Sequence, residues 1–236
     1  MRRIVFLFAI CCAIMLAPQH GIAAQELSTE EGNSLKAQLQ ALGIKHVTVD
    51  LNVRIPIPAK TRINNLGLPE TMPAVNLWGT LLKPTSDPLD NTPRPTILTC
   101  TAYRREMVIT MGAHMLVHGY NVLCVDDRGS GSSGGAWTAF DPVEHHDTAY
   151  VVDHFIPSQP WSDGKVGMFG GSYMGIIQFL AAGLCERDAA TGEPTHLKAI
   201  FPIVPMSDPY RIIVAHGGNF NQEFMAMWLV LTDFLS

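Results

Sequence analysis

The sequence predicts an α/β domain built on a mostly parallel sheet with helices on both faces. Three observations carry that expectation. From residue 96 onward, short apolar runs of strand length alternate with longer stretches of helical pattern. The 236 residues are 47% hydrophobic and only 16% charged, enough for one sizeable core and too apolar for a disordered chain. At residues 165–178, finally, a buried-strand run ends in two glycines, a serine follows, and a helical run begins.

Residues 1–24 are set apart as a secretory signal peptide. Arg2 and Arg3 precede a run of 14 apolar residues, Ile4 to Ala17, and small residues at Gly21, Ala23 and Ala24 suit cleavage. That run is shorter than the roughly 20 residues that span a bilayer, so no stable membrane anchor is expected. The mature chain, 25–236, then carries 14 basic and 21 acidic residues, a net charge of −7, once Arg2 and Arg3 are removed. A mildly acidic chain without a basic, aromatic-rich patch argues against nucleic-acid or other polyanionic partners. Cys100, Cys124 and Cys185 remain, an odd number without metal spacing, so neither a disulfide framework nor a metal site is expected.

In the mature chain, Ser28-Thr-Glu-Glu31 is a capping box before Leu35, Leu39 and Leu42, and Gly43 stops that helix. Val47, Val49, Leu51 and Val53 alternate as a strand. The stretch 55–74 is rich in proline and asparagine and reads as a loop, as does 84–95, with a strand at 75–83 between them. Next come a strand at 96–101, a helix at 106–118 ended by Gly119, and a strand at 121–126. Asp141-Pro-Val-Glu144 predicts a helix start with proline in its first turn and a glutamate completing the capping box, the helix running to about Phe155. Strands at 166–169 and 197–204 and helices at 176–182 and 220–235 complete the series.

Lys165-Val-Gly-Met-Phe-Gly-Gly-Ser-Tyr-Met-Gly175 has the strand–turn–helix context of a nucleophile elbow. Ser172 at its tip is the candidate nucleophile, and Gly170, Gly171 and Gly175 are expected to leave room where strand and helix nearly touch. The competing reading is a glycine-rich turn whose serine caps the helix.

Four segments together resemble a known family. Thr96 to Tyr103 ends a strand in tyrosine, and Val125 to Gly134 is a second loop after a strand. Gln159-Pro-Trp leads into the elbow, and Leu197 to Pro202 is the strand beyond it. Over residues 75–220 they look like the α/β-hydrolase family of cocaine esterase, α-amino acid ester hydrolase and X-prolyl dipeptidyl aminopeptidase. The resemblance implies a serine hydrolase acting on ester or amide bonds of small-molecule or peptide substrates, without a cofactor, and the signal peptide makes it an exported one. Residue by residue, Ser172 matches the acyl nucleophile and Tyr103 the hydroxyl of the oxyanion hole. The backbone N–H of Tyr173 is the second donor. Asp126 and Arg128 match an Asp-x-Arg-Gly loop and are read as an ion pair shaping the site's rim. Asp208 matches an acidic position that helps bind a substrate ammonium group, against the plainer reading of a loop aspartate or helix cap.

Two departures stand out. The family's Arg-Asp-Gly signature before the second strand is missing. No histidine has the sequence context of the base: His145 and His146 precede the serine and read as surface residues, His196 precedes a strand, and His216 stands near the start of the cap. The chain is therefore expected to be the N-terminal portion of such a hydrolase, with residues from about 218 to 236 opening its helical cap. The alternative is a non-catalytic secreted remnant or binding module derived from one.

Overall fold

The computed structural model describes residues 27–63 and 66–235, with side chains through Thr232. The signal-peptide expectation for 1–24 lies outside the described residues. Helix α1 (Thr29–Ala41) starts at the capping box, with Ser28 accepting from the Glu31 N–H and the Glu31 carboxylate bonding back to Ser28. The strands are β1 (Thr48–Ile57), β2 (Lys60–Ile63), β3 (Pro69–Met72), β4 (Val75–Lys83), β5 (Arg94–Thr101), β6 (Asn121–Asp126), β7 (Ser162–Gly171), β8 (Leu197–Ile203), β9 (Ala215–His216) and β10 (Asn219–Phe220). Between them lie α2 (Arg105–Val108), α3 (Pro142–Tyr150) and α4 (Tyr173–Ala182), and α5 (Gln222–Leu235) follows β10.

Six strands form one sheet in the order β1-β4-β6-β5-β7-β8. β5, β6, β7 and β8 are mutually parallel, whereas β4 runs antiparallel to both β1 and β6. Side-chain alternation divides the core between the two faces. Along β6, Val122 and Cys124 join Leu35 and Leu39 of α1 and the 105–118 segment, while Leu123 and Val125 join Val151, Val152 and Ile156 beyond α3. Cys100 and Cys124 thus sit on neighbouring strands but in different layers, and both are free, buried thiols, as is Cys185. Among the described residues β8 has no neighbour on its outer side, and Phe201 on it and Val204 just past it are 63% and 71% exposed.

The structure departs from the sequence expectation in two elements. The stretch 55–74 is not a plain loop: β1 extends to Ile57, and β2 and β3 form a hairpin in which Arg62 pairs with Glu70 at 2.6 Å. Strands of four residues among prolines carry too little pattern to be read. The expected helix 106–118 is instead α2 followed by 3₁₀ turns at Ile109–Met111 and Ala113–His118. Val108, Ile109 and Thr110 are β-branched and Gly112 follows, a poor run for a continuous α-helix.

Candidate active site

β7 delivers its last residue, Gly171, to a sharp turn at Ser172. Ser172 has φ 55° and ψ −123°, a conformation that costs a non-glycine residue on the order of 1–3 kcal/mol unless its surroundings hold it. They do. Its N–H donates to the Ile203 carbonyl at 3.0 Å, and its own carbonyl accepts from Gly175 and Ile176 at 2.8 and 3.0 Å, starting α4. The side chain makes no capping bond to the helix and is exposed. The turn's tightness is visible at two glycines. A Cβ on Gly170 would stand 2.6 Å from the Met174 Cβ, and one on Gly175 would stand 2.8 Å from the Ile203 carbonyl oxygen. Gly171 is different: its Cβ would meet Ile203 at 3.6 Å, an ordinary contact, so close packing does not require glycine there.

Tyr103 lies just past β5, with its N–H bonded to the Thr101 hydroxyl at 2.9 Å. Its own hydroxyl is in hydrogen-bonding reach of the Ser172 side chain, and Trp228 of α5 donates its indole N–H to it at 3.0 Å. Burial raises the Tyr103 pKa above its ordinary value, so the hydroxyl stays protonated near neutrality. With Trp228 on its lone pair, its proton is free for Ser172 or an acyl oxygen.

Tyr173 is the first residue of α4, so its N–H has no acceptor within the helix. Its ring is 1% exposed, stacked on Phe140 at 4.5 Å and edge-on to Tyr103 at 5.6 Å. The hydroxyl donates to Glu144 and accepts from the Trp137 indole at 3.1 Å. Glu144 is therefore not the reciprocal half of a capping box. Asp141 caps α3 through the Val143 N–H at 2.6 Å, while the Glu144 carboxyl turns inward.

The expected pairing of Asp126 with Arg128 is not what forms. Asp126 is fully buried and pairs with Arg105, whose N–H also donates to it at 2.7 Å, alongside Ser132 N–H at 3.0 Å. Arg128 makes a two-pronged bond to Asp147, 2.7 and 2.9 Å, and a third to the Pro73 carbonyl at 2.9 Å. Residues two apart on a turning loop diverge, and each found a partner far along the chain. Burial outweighs the arginine in each pair, leaving both aspartates above their usual pKa. Nothing in the sequence marked Arg105, Asp127 or Trp228 for the site, and Glu144 was marked only as half of a capping box, an acid in the first turn of its helix.

Asp208 binds the Arg211 N–H at 3.0 Å and its guanidinium at 2.9 Å, an exposed cap on the turn Tyr210–Val214. The hydrogen-bonded histidine rings engage groups other than Ser172. His196 meets the Gly164 carbonyl at 2.8 Å, near the start of β7, and the eight residues to Ser172 cover about 26 Å of extended strand. His114 bonds the Met111 carbonyl, His46 bonds Ser86, and His154 faces Glu186. His145 and His146 are half-buried on α3 rather than surface residues, and burial lowers both pKa values. His216 is exposed on β9. Among the described residues no group of three or more His, Cys, Asp or Glu side chains is arranged to hold a metal ion.

A mostly parallel sheet whose fifth strand runs into a strained serine turn, with a helix directly behind it, defines an α/β-hydrolase. The chain belongs to the X-Pro dipeptidyl-peptidase (S15) family, whose pattern matches residues 77–235. Over 116 residues it is 34% identical to the cocaine esterase of Rhodococcus sp. (strain MB1 Bresler), a stretch covering 48% of this chain and 18% of that enzyme. Two crystal structures of a CocE/NonD family hydrolase from Staphylococcus aureus share the fold. One matches with a TM-score of 0.59 at 17% identity, over 94% of this chain and 39% of that one. The other gives 0.57 at 20% identity, over 79% and 35%. The chain thus matches less than a fifth of the length of the cocaine esterase.

Proposed function

We propose that this chain carries the nucleophile and the oxyanion donors of a serine hydrolase that cleaves ester or amide bonds through an acyl-enzyme. One observation carries the reading. The Ser172 side chain is exposed at a strained turn, is not spent on capping α4, and lies within reach of a Tyr103 hydroxyl whose acceptor side is already filled by Trp228. In the reaction, Ser172 Oγ attacks the acyl carbon and its proton passes to a base. The Tyr103 O–H and the Tyr173 backbone N–H receive the negative charge on the acyl oxygen, the alcohol or amine leaves, and water releases the acyl group.

The base is not assembled on Ser172 among the described residues. We read the chain as the N-terminal portion of a longer hydrolase, in keeping with the 18% of the cocaine esterase that it matches. Dipeptides ending in proline, amino-acid esters and other acyl compounds are the candidate substrates, with Asp208 as a further binding group. Export through the leader 1–24 belongs to the same reading, and no described helix is long and apolar enough to cross a membrane. A mature N-terminus at Ala24 or Gln25 would support export, and an intact Met1 on cytoplasmic protein would end it.

A second reading, a non-catalytic secreted binding module, is favoured by the exposed Phe201 and Val204 on the open edge of the sheet. Full-length protein, translated through whatever frame follows codon 236, decides between them. Ester hydrolysis that Ser172→Ala abolishes supports the enzyme. A stop codon at that point together with no Ser172-dependent hydrolysis supports the module.

A further inference from the structure

The reaction proposed above uses only the backbone N–H of Tyr173, yet the side chain is among the most deeply buried in the molecule. Its hydroxyl donates to Glu144 Oε1 and accepts from Trp137. Glu144 also receives the Phe140 N–H, and its carboxyl faces that of Asp127, in the loop after β6. Both acids are 3% exposed. One oxygen on each, Glu144 Oε2 and Asp127 Oδ2, has no N–H or O–H donor. Two buried carboxylates in contact repel strongly, and a single proton between them relieves the repulsion and supplies the missing donor.

The surrounding charges do not alter this. Asp126 and Asp147 face Asp127, but they are held by Arg105 and Arg128, which leaves neither arginine for the pair. Asp141 adds negative charge near Glu144 from the start of α3. The remaining titratable neighbours are the hydroxyls of Tyr103 and Tyr173 and the Cys100 and Cys124 thiols, all with pKa values raised by burial first.

We propose that Glu144 and Asp127 form a one-proton carboxyl pair that fixes the Tyr173 ring and so aims the Tyr173 backbone N–H at the acyl oxygen. They are positioning residues that touch neither substrate nor reacting atoms, and the inference rests on the oxyanion role given to that N–H. Burial pushes Glu144 up to about 7 and Asp127 well above the usual carboxylate range. Above that point the pair holds one proton and Glu144 accepts the Tyr173 O–H as a carboxylate. Below it Glu144 is neutral and the weaker acceptor.

Trp137 reports on this directly, because its indole N–H ends on the Tyr173 hydroxyl. In the full chain, the Trp137 indole resonance, assigned by its loss in Trp137→Phe, should titrate once near pH 7. The step should vanish in Glu144→Gln. In Asp127→Leu it should rise by about one pH unit, since the protonated Asp127 carboxyl no longer donates to the Glu144 carboxylate. A parent resonance flat from pH 5 to 9, a step that survives in Glu144→Gln, or a step that stays or falls in Asp127→Leu overturns the pair. Should Glu144→Gln fail to fold, Asp127→Leu alone decides. In full-length protein, Glu144→Gln should lower kcat about tenfold with KM within about twofold. An unchanged kcat overturns the positioning role. If Ser172→Ala leaves hydrolysis intact, the nucleophile reading fails while the Trp137 titration stands, so the two failures are distinguishable.

Discussion

The Trp228 indole N–H donates to the Tyr103 hydroxyl at 3.0 Å, joining α5 to the end of β5 across 125 residues of sequence. An oxyanion donor has to point its proton at the site, and a phenol hydroxyl can rotate. With Trp228 on the oxygen, the orientation toward Ser172 is the one that remains. In full-length protein, Tyr103→Phe should lower kcat by about 10²–10³ while folding and KM barely move. Trp228→Phe, which frees the hydroxyl without removing it, should cost about tenfold, one hydrogen bond's worth. The double variant should be no slower than Tyr103→Phe, because Trp228 acts through Tyr103. Additive losses in kcat would show that Trp228 works by another route.

The two buried ion pairs cross over one another's expected partners, and a double-mutant cycle separates the arrangements. Coupling should appear between Asp126 and Arg105 and between Arg128 and Asp147, and be negligible between Asp126 and Arg128. Arg105→Met leaves the buried Asp126 without its counter-charge and should destabilise the fold by about 3–5 kcal/mol in urea unfolding. Strong coupling between Asp126 and Arg128 would refute the crossing.

Much of this fold is legible in the sequence, and the difference between what is and is not has a physical basis. The central strands and the elbow are encoded by runs of neighbours: Val166 to Phe169, the paired glycines and the apolar turn after them need no distant information. Ser172 and Tyr103 can be placed at strand ends for that reason. The ion pairs cannot, because Asp126 has candidate arginines at 104, 105 and 128 and only the path of the chain chooses among them. Glu144 shows the same limit in one residue. Its position in the first turn of α3 suggests a cap, but Tyr173 sits 29 residues later and draws the carboxyl inward. The β2–β3 hairpin is missed for the opposite reason, too little local pattern.

The elbow glycines should differ sharply on substitution. Gly175→Ala drives a Cβ to 2.8 Å from a backbone oxygen that also anchors the Ser172 N–H, so relief must displace β8 or the turn. A loss of about 1–3 kcal/mol is expected, with activity falling further than stability. Gly171→Ala meets only an ordinary contact and should stay within about 0.5–1 kcal/mol of the parent. Equal thermal shifts for the two would contradict the packing.

Stability should fall as pH rises through the window of Glu144. Its pKa in the folded chain is about 7 against an ordinary 4.5. Between those values the folded chain keeps a proton that the unfolded chain releases, so the penalty grows with pH and is complete above about 7. Its size is of order 3 kcal/mol. Glu144→Gln cannot titrate, and the raised Asp126 and Asp147 remain in both proteins. Urea unfolding at pH 5 and pH 8 should therefore show the parent losing about 2 kcal/mol more than the variant. Parallel losses would mean that Glu144 ionises normally.

The 236-residue chain, expressed without further sequence, should show no appreciable Ser172-dependent ester hydrolysis. The Ser172 proton has to leave as the acyl bond forms, and the described residues offer it Tyr103, a weak acid held protonated by burial. A phenol in that state donates and does not accept a proton at neutral pH. His196 is tied to Gly164 about 26 Å of strand away, and His114 to the Met111 carbonyl. Losing the base of a serine triad costs about 10⁶ in kcat, because nucleophile and base act as a unit. Oxyanion donors alone retain about 10³–10⁴ over water. Hydrolysis of p-nitrophenyl acetate by the chain should thus match that of its Ser172→Ala variant within about twofold. Robust turnover that disappears with Ser172→Ala would mean that a base within these residues reaches Ser172, and His114, which packs against Phe169 at a ring separation of 5.7 Å two residues before the paired elbow position Gly171, would be the first to replace.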